Sequence, residues 1–433
     1  MTVRSVRLVA YGALGLPLAM VALPIYVQAP AYYTSRLGMP LSTAGLILFL
    51  TRLVDTAQDP VLGRWADMLA GGSRLPTALW ISAVCLFAAF AALWMPLVSG
   101  MALATWFAAS LVAVYATHSF INVAYLAWGA KLGADSNVLT QAAAWREGAG
   151  VLGVLIASAG PAWLLASEDT TPQDAMLPFI TLFGILLIGA LWVLRFAPPW
   201  QMMPSSQPHL PGRGSAASTV LSVWRTVRDN RSFRMILVPY FLNGLSVAIP
   251  ASLAVFFIED RLGAMQWVAP SLALYFLTAA FGLPLWVRIS GRVGPRRTWR
   301  AAMGLAIAAF VWAATLGPGD VVPFLVVCIG CGFALGADLA LPPVLLAQCI
   351  PNDEGSGAYF GIWTLIGKLC LALSALTLPG LAWLGYQPGE PAIGTPGVAL
   401  ALAYAGLPCL LKLGALVALR TKSPAAQVTE ELQ

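Results

Sequence analysis

Apolar runs long enough to cross a bilayer recur along this chain and leave few alternatives for its fold. About 20 consecutive apolar residues form a helix that spans the ~30 Å hydrocarbon core of a membrane. We predict twelve such helices, at residues 8–34, 41–66, 76–97, 100–130, 144–167, 176–196, 233–258, 266–289, 299–317, 321–350, 358–384 and 397–420. Only 10% of the residues are charged, against about 25% in soluble domains. The expected fold class is therefore an all-α membrane protein.

Basic residues lie mainly on one side of the predicted membrane. Cytoplasmic loops of membrane proteins carry an excess of Lys and Arg, and here most of these residues fall in segments that are cytoplasmic if the N-terminus is. Examples are Arg4, Arg7, Arg64, Arg74, Arg225, Arg228, Arg292, Arg296, Arg297, Arg420 and Lys422. We therefore predict a multi-pass protein of a bacterial inner membrane with both termini cytoplasmic. The net charge of +6 follows from this bias, so no nucleic-acid partner is expected.

The longest polar stretch divides the predicted helices into two sets of six. It is rich in Pro, Gly and Ser and covers residues 198–232. We predict a first six-helix bundle at residues 1–197, a cytoplasmic central loop at 198–232, and a second bundle with a short cytoplasmic tail at 233–433. Two pseudo-symmetric bundles of this kind are typical of secondary transporters. The basic start of the chain precedes an apolar stretch too long for a signal peptide, so we expect helix 1 to be retained.

Two carboxylates occupy the second predicted helix. Asp55 and Asp59 are four residues apart in the run RLVDTAQDPVLG, which gives about 6 Å of rise and about 40° of rotation, so both project from one face. A charge at the bilayer centre costs roughly 3 to more than 10 kcal/mol, and this cost favours a functional use. With Arg52 one turn earlier, the three groups leave one negative charge, which a single Na⁺ or H⁺ would neutralise. The alternative is an internal salt-bridge network with Arg52 or Lys368.

Three segments of the chain resemble one known transporter family. The runs RLVDTAQDPVLGRWAD, ADLALPPVLLAQ and GAYFGIWTLIGKLCLAL are similar to those of the glycoside–pentoside–hexuronide:cation symporters. This is the melibiose permease family, within the major facilitator superfamily. The resemblance implies twelve transmembrane helices in two bundles, and coupling of Na⁺ or H⁺ movement to uptake of a sugar or sugar-like solute.

The resemblance also implies roles for individual residues. Asp55 and Asp59 match the cation ligands of the family and would hold the Na⁺. Ser119 and Asn122 match helix 4 positions that carry a threonine and an aspartate in the melibiose permease family, and we expect them to belong to the cation-binding residues. Arg52, Arg146, Thr364 and Lys368 match residues involved in solute binding or coupling.

Two positions depart from the family pattern. Pro17 and Asn122 replace acidic residues that hold sugar hydroxyls in the galactoside transporters. The departures leave a second interpretation open, which is a carrier of a non-sugar or lipid-like solute with the same fold.

Four further polar or aromatic residues lie inside predicted helices and are candidates for solute binding. Asn243 and Asp338 are polar groups in hydrocarbon, where each needs a partner. Tyr125 and Trp128 are rings able to stack on a sugar, and helix packing is the alternative for all four.

The sequence favours a transporter over an enzyme. It lacks the HExxH and GxSxG motifs and any cluster of His, Asp and Cys residues. It also has no nucleotide-binding loop, so we expect no cofactor and a coupling ion, Na⁺ or H⁺, as the energy source. The expected partners are a small-molecule solute and membrane lipid, and the expected oligomeric state is a monomer.

Overall fold

The computed structural model describes residues 3–70, 74–130, 136–165, 171–197, 230–349 and 357–419. Twelve helical spans lie within these ranges, at the places where the sequence predicts them. The first six are helix 1 (Val3–Gly12, Gly15–Val27, Ala29–Ala31 and a π-turn Tyr32–Arg36), helix 2 (Leu41–Ala70), helix 3 (Leu75–Trp94), helix 4 (Met101–Ala130), helix 5 (Ser136–Leu165) and helix 6 (Pro172–Leu194).

The second set of six helices follows the undescribed residues 198–229. It comprises helix 7 (Arg231–Phe256 with a π-turn Phe257–Arg261), helix 8 (Val268–Val293), helix 9 (Pro295–Phe310 with a 3₁₀ turn Val311–Thr315), helix 10 (Val321–Ala347), helix 11 (Gly357–Ser374 and Thr377–Trp383) and helix 12 (Gly394–Ala401, a π-turn Leu402–Gly406 and Leu407–Ala418). The predicted central loop lies almost entirely outside the described residues. The all-α membrane fold is confirmed.

Helix 2 differs from the other helices in its charged and polar residues. Eleven helices in the described part of the chain are long and apolar enough to cross a membrane, and helix 2 is not among them. Its 30 residues span about 45 Å, so its length is sufficient to cross. The helix that carries the predicted cation ligands is thus long enough for a membrane span but contains too many polar groups to be recognised by apolarity alone.

Proline explains where helices 1 and 11 break. Pro17 lacks the N–H that would bond to Ala13, and helix 1 is interrupted at Ala13 and Leu14. Pro379 likewise has no N–H for the carbonyl of Ala375, where helix 11 is interrupted before Thr377.

Small residues bring the helices of each half close together. Helix 5 packs on helix 1 at Gly153, where a Cβ atom would lie 2.2 Å from the Leu16 carbonyl oxygen. Helix 10 packs on helix 8 through Gly332 and Gly336, where a Cβ would lie 2.2 Å from Tyr275 O and 2.5 Å from Leu283 N respectively. The two glycines form a GxxxG pattern, which lets backbones approach closely in membranes.

The two halves meet along helices 2 and 11 and along helices 5 and 8. At the start of helix 2, Gly45 lies against the break in helix 11. A Cβ on Gly45 would be 2.5 Å from Pro379 Cδ and 2.8 Å from the Ala375 carbonyl oxygen. The glycine is therefore needed for the contact between the halves at this end.

An ion pair joins the halves at the same end of the molecule. Arg36, at the end of helix 1, lies 3.6 Å from the Glu259 carboxylate at the end of helix 7. Its guanidinium also lies 2.9 Å from the sulfur of Met265. Towards the opposite end, Thr364 is exposed although it lies one turn from Lys368, which faces helix 2 (below). Contacts between the halves thus close the Arg36 end, whereas Thr364, towards the other end, is accessible.

Arg36→Ala should loosen the closed end. A partly exposed ion pair contributes about 0.2–1 kcal/mol, so we expect the open population at this end to rise by up to about fivefold. The measurement is the rate at which maleimide alkylates a cysteine introduced at Ala162, which lines a small cavity beside Arg36 and Glu259. Arg36→Lys keeps the charge and is the control. Equal alkylation rates in Arg36→Ala and the unmodified background would contradict the role of the pair.

Gly45→Ala and Gly189→Ala should change stability in opposite directions. A methyl group on Gly45 collides with helix 11, whereas one on Gly189 of helix 6 meets nothing within 4 Å. Overpacking typically costs about 1–3 kcal/mol, and Ala in a helix is favoured over Gly by roughly 0.5–1 kcal/mol. Thermal unfolding of the purified protein should therefore show a lower Tm for Gly45→Ala and an unchanged or higher Tm for Gly189→Ala. A Gly45→Ala protein as stable as Gly189→Ala would show that the close contact is not needed.

Candidate functional site

The centre of the site is the buried carboxylate of Asp55. Its side chain is only 2% exposed. Ser119 Oγ donates a hydrogen bond of 2.8 Å to one carboxylate oxygen, and Gln58 Nε2 donates one of 3.3 Å to the same oxygen. The other oxygen lies 3.1 Å from Lys368 Nζ and 3.4 Å from Arg52 Nη1.

Three helices place these groups around Asp55. Arg52 and Gln58 are one turn away on helix 2, and Ser119 comes from helix 4, which packs on helix 2 within the same half. Lys368 comes from helix 11 in the other half. The Arg52 guanidinium is held in place by the ring of Tyr115, 4.3 Å from the ring centroid, which is a cation–π contact.

Lys368 changes the charge balance expected from the sequence. Around Asp55, two cations face one described carboxylate, since the side chain of Asp59 lies outside the described residues. Counting both aspartates with Arg52 and Lys368 makes the formal charge zero rather than minus one. A cation that binds Asp55 therefore competes with an ammonium that is already there.

The oxygens around Asp55 suit a small hard cation or a proton. The carboxylate, the Ser119 hydroxyl and the Gln58 amide are the oxygen-bearing groups in contact. Among the described residues no three His, Cys, Asp or Glu side chains come together as they would to hold a metal ion. Hard cations prefer oxygen ligands, so these groups fit an alkali cation and give no reason to expect a transition metal.

A small cavity lies beside this cluster, between the two halves. Its empty volume, including space open to solvent, is about 270 Å³, and Arg52, Tyr115, Tyr26 and Ser252 are among the residues that line it. The Tyr115 hydroxyl is buried and has no hydrogen-bond partner in the described part of the protein. An unpartnered buried hydroxyl costs about 1–3 kcal/mol, so this position is suited to a polar solute atom.

Two other predicted residues of the cluster lie near Asp55 without a described bond to it. Asn122 is half-buried on helix 4, one turn from Ser119, and no hydrogen bond to Asp55 is found in the described part of the chain. Thr364 is exposed on helix 11, one turn from Lys368.

The predicted aromatic and helix 5 residues lie away from Asp55. Tyr125 is buried and donates a 2.7 Å hydrogen bond to the Tyr11 carbonyl oxygen, while Tyr11 donates one of 3.1 Å in return. These bonds join helices 4 and 1. Trp128 is half-buried on helix 4. Arg146 forms an ion pair with the exposed Glu147.

Asp338 and Asn243 belong to a second buried cluster, inside the C-terminal half. Lys412 Nζ lies 2.8 Å from both Asp338 Oδ2 and Asn243 Oδ1, and Trp299 Nε1 donates a 2.7 Å bond to Asp338 Oδ1. Sequence reasoning missed Lys412 and Trp299. Lys412 could have been found from its place within the apolar run of helix 12, eight residues, or about 12 Å, before Arg420. Trp299 offers no such signal.

Comparison with known proteins agrees with this fold. Residues 8–422 match the family described as MFS/sugar transport protein. The symporter YjmB of Bacillus subtilis, itself uncharacterised, is 22% identical over 93% of this chain and 89% of its own length. An uncharacterised symporter of Synechocystis is 21% identical over 94% of this chain and 92% of its own length.

Solved structures of transporters share the architecture. A bacterial homologue of the human lysosomal transporter Spinster, in an inward-facing and unoccupied conformation, has a TM-score of 0.67 at 16% identity, over 97% of this chain and 95% of that one. A D-xylose–proton symporter has a TM-score of 0.64 at 16% identity, over 95% and 96%. The nucleoside transporter NupG has a TM-score of 0.65 at 13% identity, over 98% and 100%.

The fold and the charged residues within its helices define a multi-pass membrane transporter with the major facilitator architecture. More narrowly, this chain belongs to the MFS/sugar transport protein family. The predicted superfamily is thereby confirmed, as is the expectation of a transporter rather than an enzyme, because the family and the structural relatives are all transporters.

Proposed function

We propose that this protein couples Na⁺ or H⁺ entry to uptake of a sugar or sugar-like solute, with Asp55 as the carboxylate that binds the coupling cation. The observation that carries the proposal is the Lys368–Asp55 contact of 3.1 Å. It joins the two halves through a group that a cation can occupy instead. Asp59, one turn further along helix 2, is proposed as a second cation ligand from the sequence.

Competition between Lys368 and the cation gives a physical basis for coupling. When Na⁺ or H⁺ binds Asp55, the Lys368 ammonium loses its contact with that carboxylate, and breaking a buried ion pair costs several kcal/mol. A solute oxygen or water then has to replace the lost contact. Cation binding therefore favours solute binding or movement of helix 11 relative to helix 2.

The small cavity beside Arg52 is where we place the solute in the proposed cycle. Its lining offers donors for hydroxyl or carboxylate oxygens, namely the Arg52 guanidinium and the unpartnered Tyr115 hydroxyl. Both halves contribute residues, so a bound solute would contact the two parts that move. Thr364, Asn122, Trp128, Tyr125 and Arg146 remain candidates for contacts in other conformations of the cycle.

A carrier of a non-sugar or lipid-like solute with the same fold is the second candidate. It is favoured by the buried Pro17 of helix 1, which takes the place of an acid that holds sugar hydroxyls in the galactoside transporters. Uptake of a panel of labelled sugars, sugar acids and single-chain lipids into proteoliposomes, under an imposed Na⁺ or H⁺ gradient, separates the two candidates.

The charge asymmetry of the sequence supports the proposed setting. We place the protein in a bacterial inner membrane as a monomer with both termini cytoplasmic. In this orientation Arg36 and Glu259 lie at the external end, so the closed end faces outwards and the accessible Thr364 lies towards the cytoplasm.

Asp55→Asn should abolish concentrative uptake. Asn preserves the shape of the side chain but removes the charge that attracts the cation, so we expect accumulation to fall to the level of equilibration. The measurement is uptake of the solute identified by the panel, with and without the cation gradient. Asp174→Asn is the matched control, because Asp174 lies at the start of helix 6, away from the cluster. Full accumulation by Asp55→Asn would rule out Asp55 as the coupling carboxylate.

Lys368→Ala should strengthen cation binding. An opposite charge within about 4–6 Å changes the cation affinity of a carboxylate roughly tenfold or more. Removing Lys368 from 3.1 Å should therefore lower the half-saturating concentration of the coupling cation by about tenfold. The measurement is equilibrium binding of ²²Na⁺, or proton uptake by the purified protein. Lys368→Arg retains the positive charge and should change the half-saturating concentration of the cation much less. Unaltered cation affinity in Lys368→Ala would mean that Lys368 does not compete at Asp55.

A further inference from the structure

A second cavity lies inside the C-terminal half and has no part in the proposed coupling at Asp55. Its empty volume is about 870 Å³, including space open to solvent. Apart from Val27 of helix 1, it is lined by helices 7, 8, 9, 10 and 12. Helices 9 and 12 do not contribute to the cavity beside Arg52, so the two cavities are distinct.

The cavity is long and narrow. On helix 10 its lining extends from Phe324 to Asp338, a distance of about 21 Å along the helix axis. Between these ends the walls are mostly aliphatic, aromatic or thiol side chains, among them Leu335, Tyr275 and Cys331. The Ser246 hydroxyl also lines the cavity and is already bonded to the Asn243 carbonyl oxygen. An occupant therefore has an elongated apolar body.

One end of the cavity carries an ion pair that is neutral as a whole. The Lys412 ammonium has three N–H donors, two of which are used by Asp338 and Asn243. The Asp338 carboxylate accepts from Lys412 and Trp299 and has acceptor capacity left. The pair thus offers a donor and an acceptor side by side, which a hydroxyl group satisfies. A carboxylate head would lie against Asp338, and an amine head against Lys412.

The opposite end carries a hydroxyl without a partner. Ser271 lies in the first turn of helix 8, lines the cavity, and is 1% exposed. Its Oγ has no hydrogen-bond partner in the described part of the protein. Helix 8 and helix 10 begin at the same end of the bundle, because Gly319 N donates to the Leu262 carbonyl oxygen. Gly332 of helix 10 packs against the Tyr275 carbonyl of helix 8, so Ser271, one turn before Tyr275, is level with about Cys328. Ser271 is therefore nearer the Phe324 end and ~15 Å along the axis from Asp338.

We propose that this cavity is a second ligand site, for an uncharged elongated molecule with an apolar body and an oxygen function at each end, the class that includes long-chain diols. One oxygen meets the Asp338–Lys412 pair and the other meets the Ser271 hydroxyl. The apolar body fills the space between them, at about 0.8 kcal/mol per buried CH₂.

The native cysteines allow a direct test on the full-length protein in lipid nanodiscs. Cys331 and Cys409 line the cavity and are partly accessible, whereas Cys85 of helix 3 is exposed and lies elsewhere. Alkylation by N-ethylmaleimide is followed by mass spectrometry at each cysteine, with 1,12-dodecanediol, 1-dodecanol, dodecanoate or dodecylamine added. We expect saturating diol to slow alkylation of Cys331 and Cys409 at least threefold and to leave Cys85 unchanged. The alcohol should protect more weakly, and the two charged probes should not protect.

Three variants then test which group recognises which end. Ser271→Ala should bind the diol no better than the alcohol. Asp338→Asn leaves Lys412 as the free charge and should make dodecanoate protective, and Lys412→Met should do the same for dodecylamine. If either charge variant fails to fold, the Ser271→Ala comparison still decides the proposal. Equal protection by all four probes, protection that extends to Cys85, or an unchanged diol preference in Ser271→Ala would each overturn it.

Discussion

The ion pair between Asp55 and Lys368 is the interaction on which the working parts of this transporter depend. A charge inside a bilayer is stable only with a partner, and these two charges are partners across the boundary between the halves. Separating helices 2 and 11 breaks this contact. In the proposed cycle, a cation on Asp55 displaces Lys368, which links the arrangement of the halves to the occupancy of Asp55. Ser119, Gln58 and Arg52 complete the hydrogen bonding of the carboxylate.

The rest of the fold brings helices 2 and 11 close enough for that pair to form. In lipid the apolar surface of a helix gains little from leaving its surroundings, so close association relies on small residues and on polar contacts. Gly45 supplies the close approach at one end of the interface, against the carbonyl of Ala375 that Pro379 leaves without its helical donor. The Arg36–Glu259 pair supplies a polar contact at the same end. Gly45 of helix 2 and Pro379 of helix 11 together shape the interface between these two helices at this end.

The same physics produces the second buried cluster, with a different outcome. Asp338 and Lys412 lie on helices of one half, so their pairing is insensitive to movement between the halves. It closes one end of a long apolar cavity whose other end carries the Ser271 hydroxyl. The Asp338–Lys412 pair can therefore contact a ligand in any arrangement of the two halves. The Asp55–Lys368 pair forms only when helices 2 and 11 are close together.

The sequence alone determined the twelve helices and the half of the site that lies on one helix. Apolar length and charge placement are local properties, and an apolar run of about 20 residues crosses a membrane as a helix. The spans and the Arg52–Asp55 turn could therefore be predicted. Asp338 and Asn243 were also recognised as polar groups in hydrocarbon. Their partners could not be identified, because Lys412 and Trp299 reach them from other helices, and pairing depends on how each helix is rotated and tilted. Only the tertiary structure decided that Lys368 contacts Asp55 and that Tyr125 bonds to helix 1. It also decided that the Asp338–Lys412 pair and the Ser271 hydroxyl line one cavity in the C-terminal half, because these contacts depend on how the helices pack.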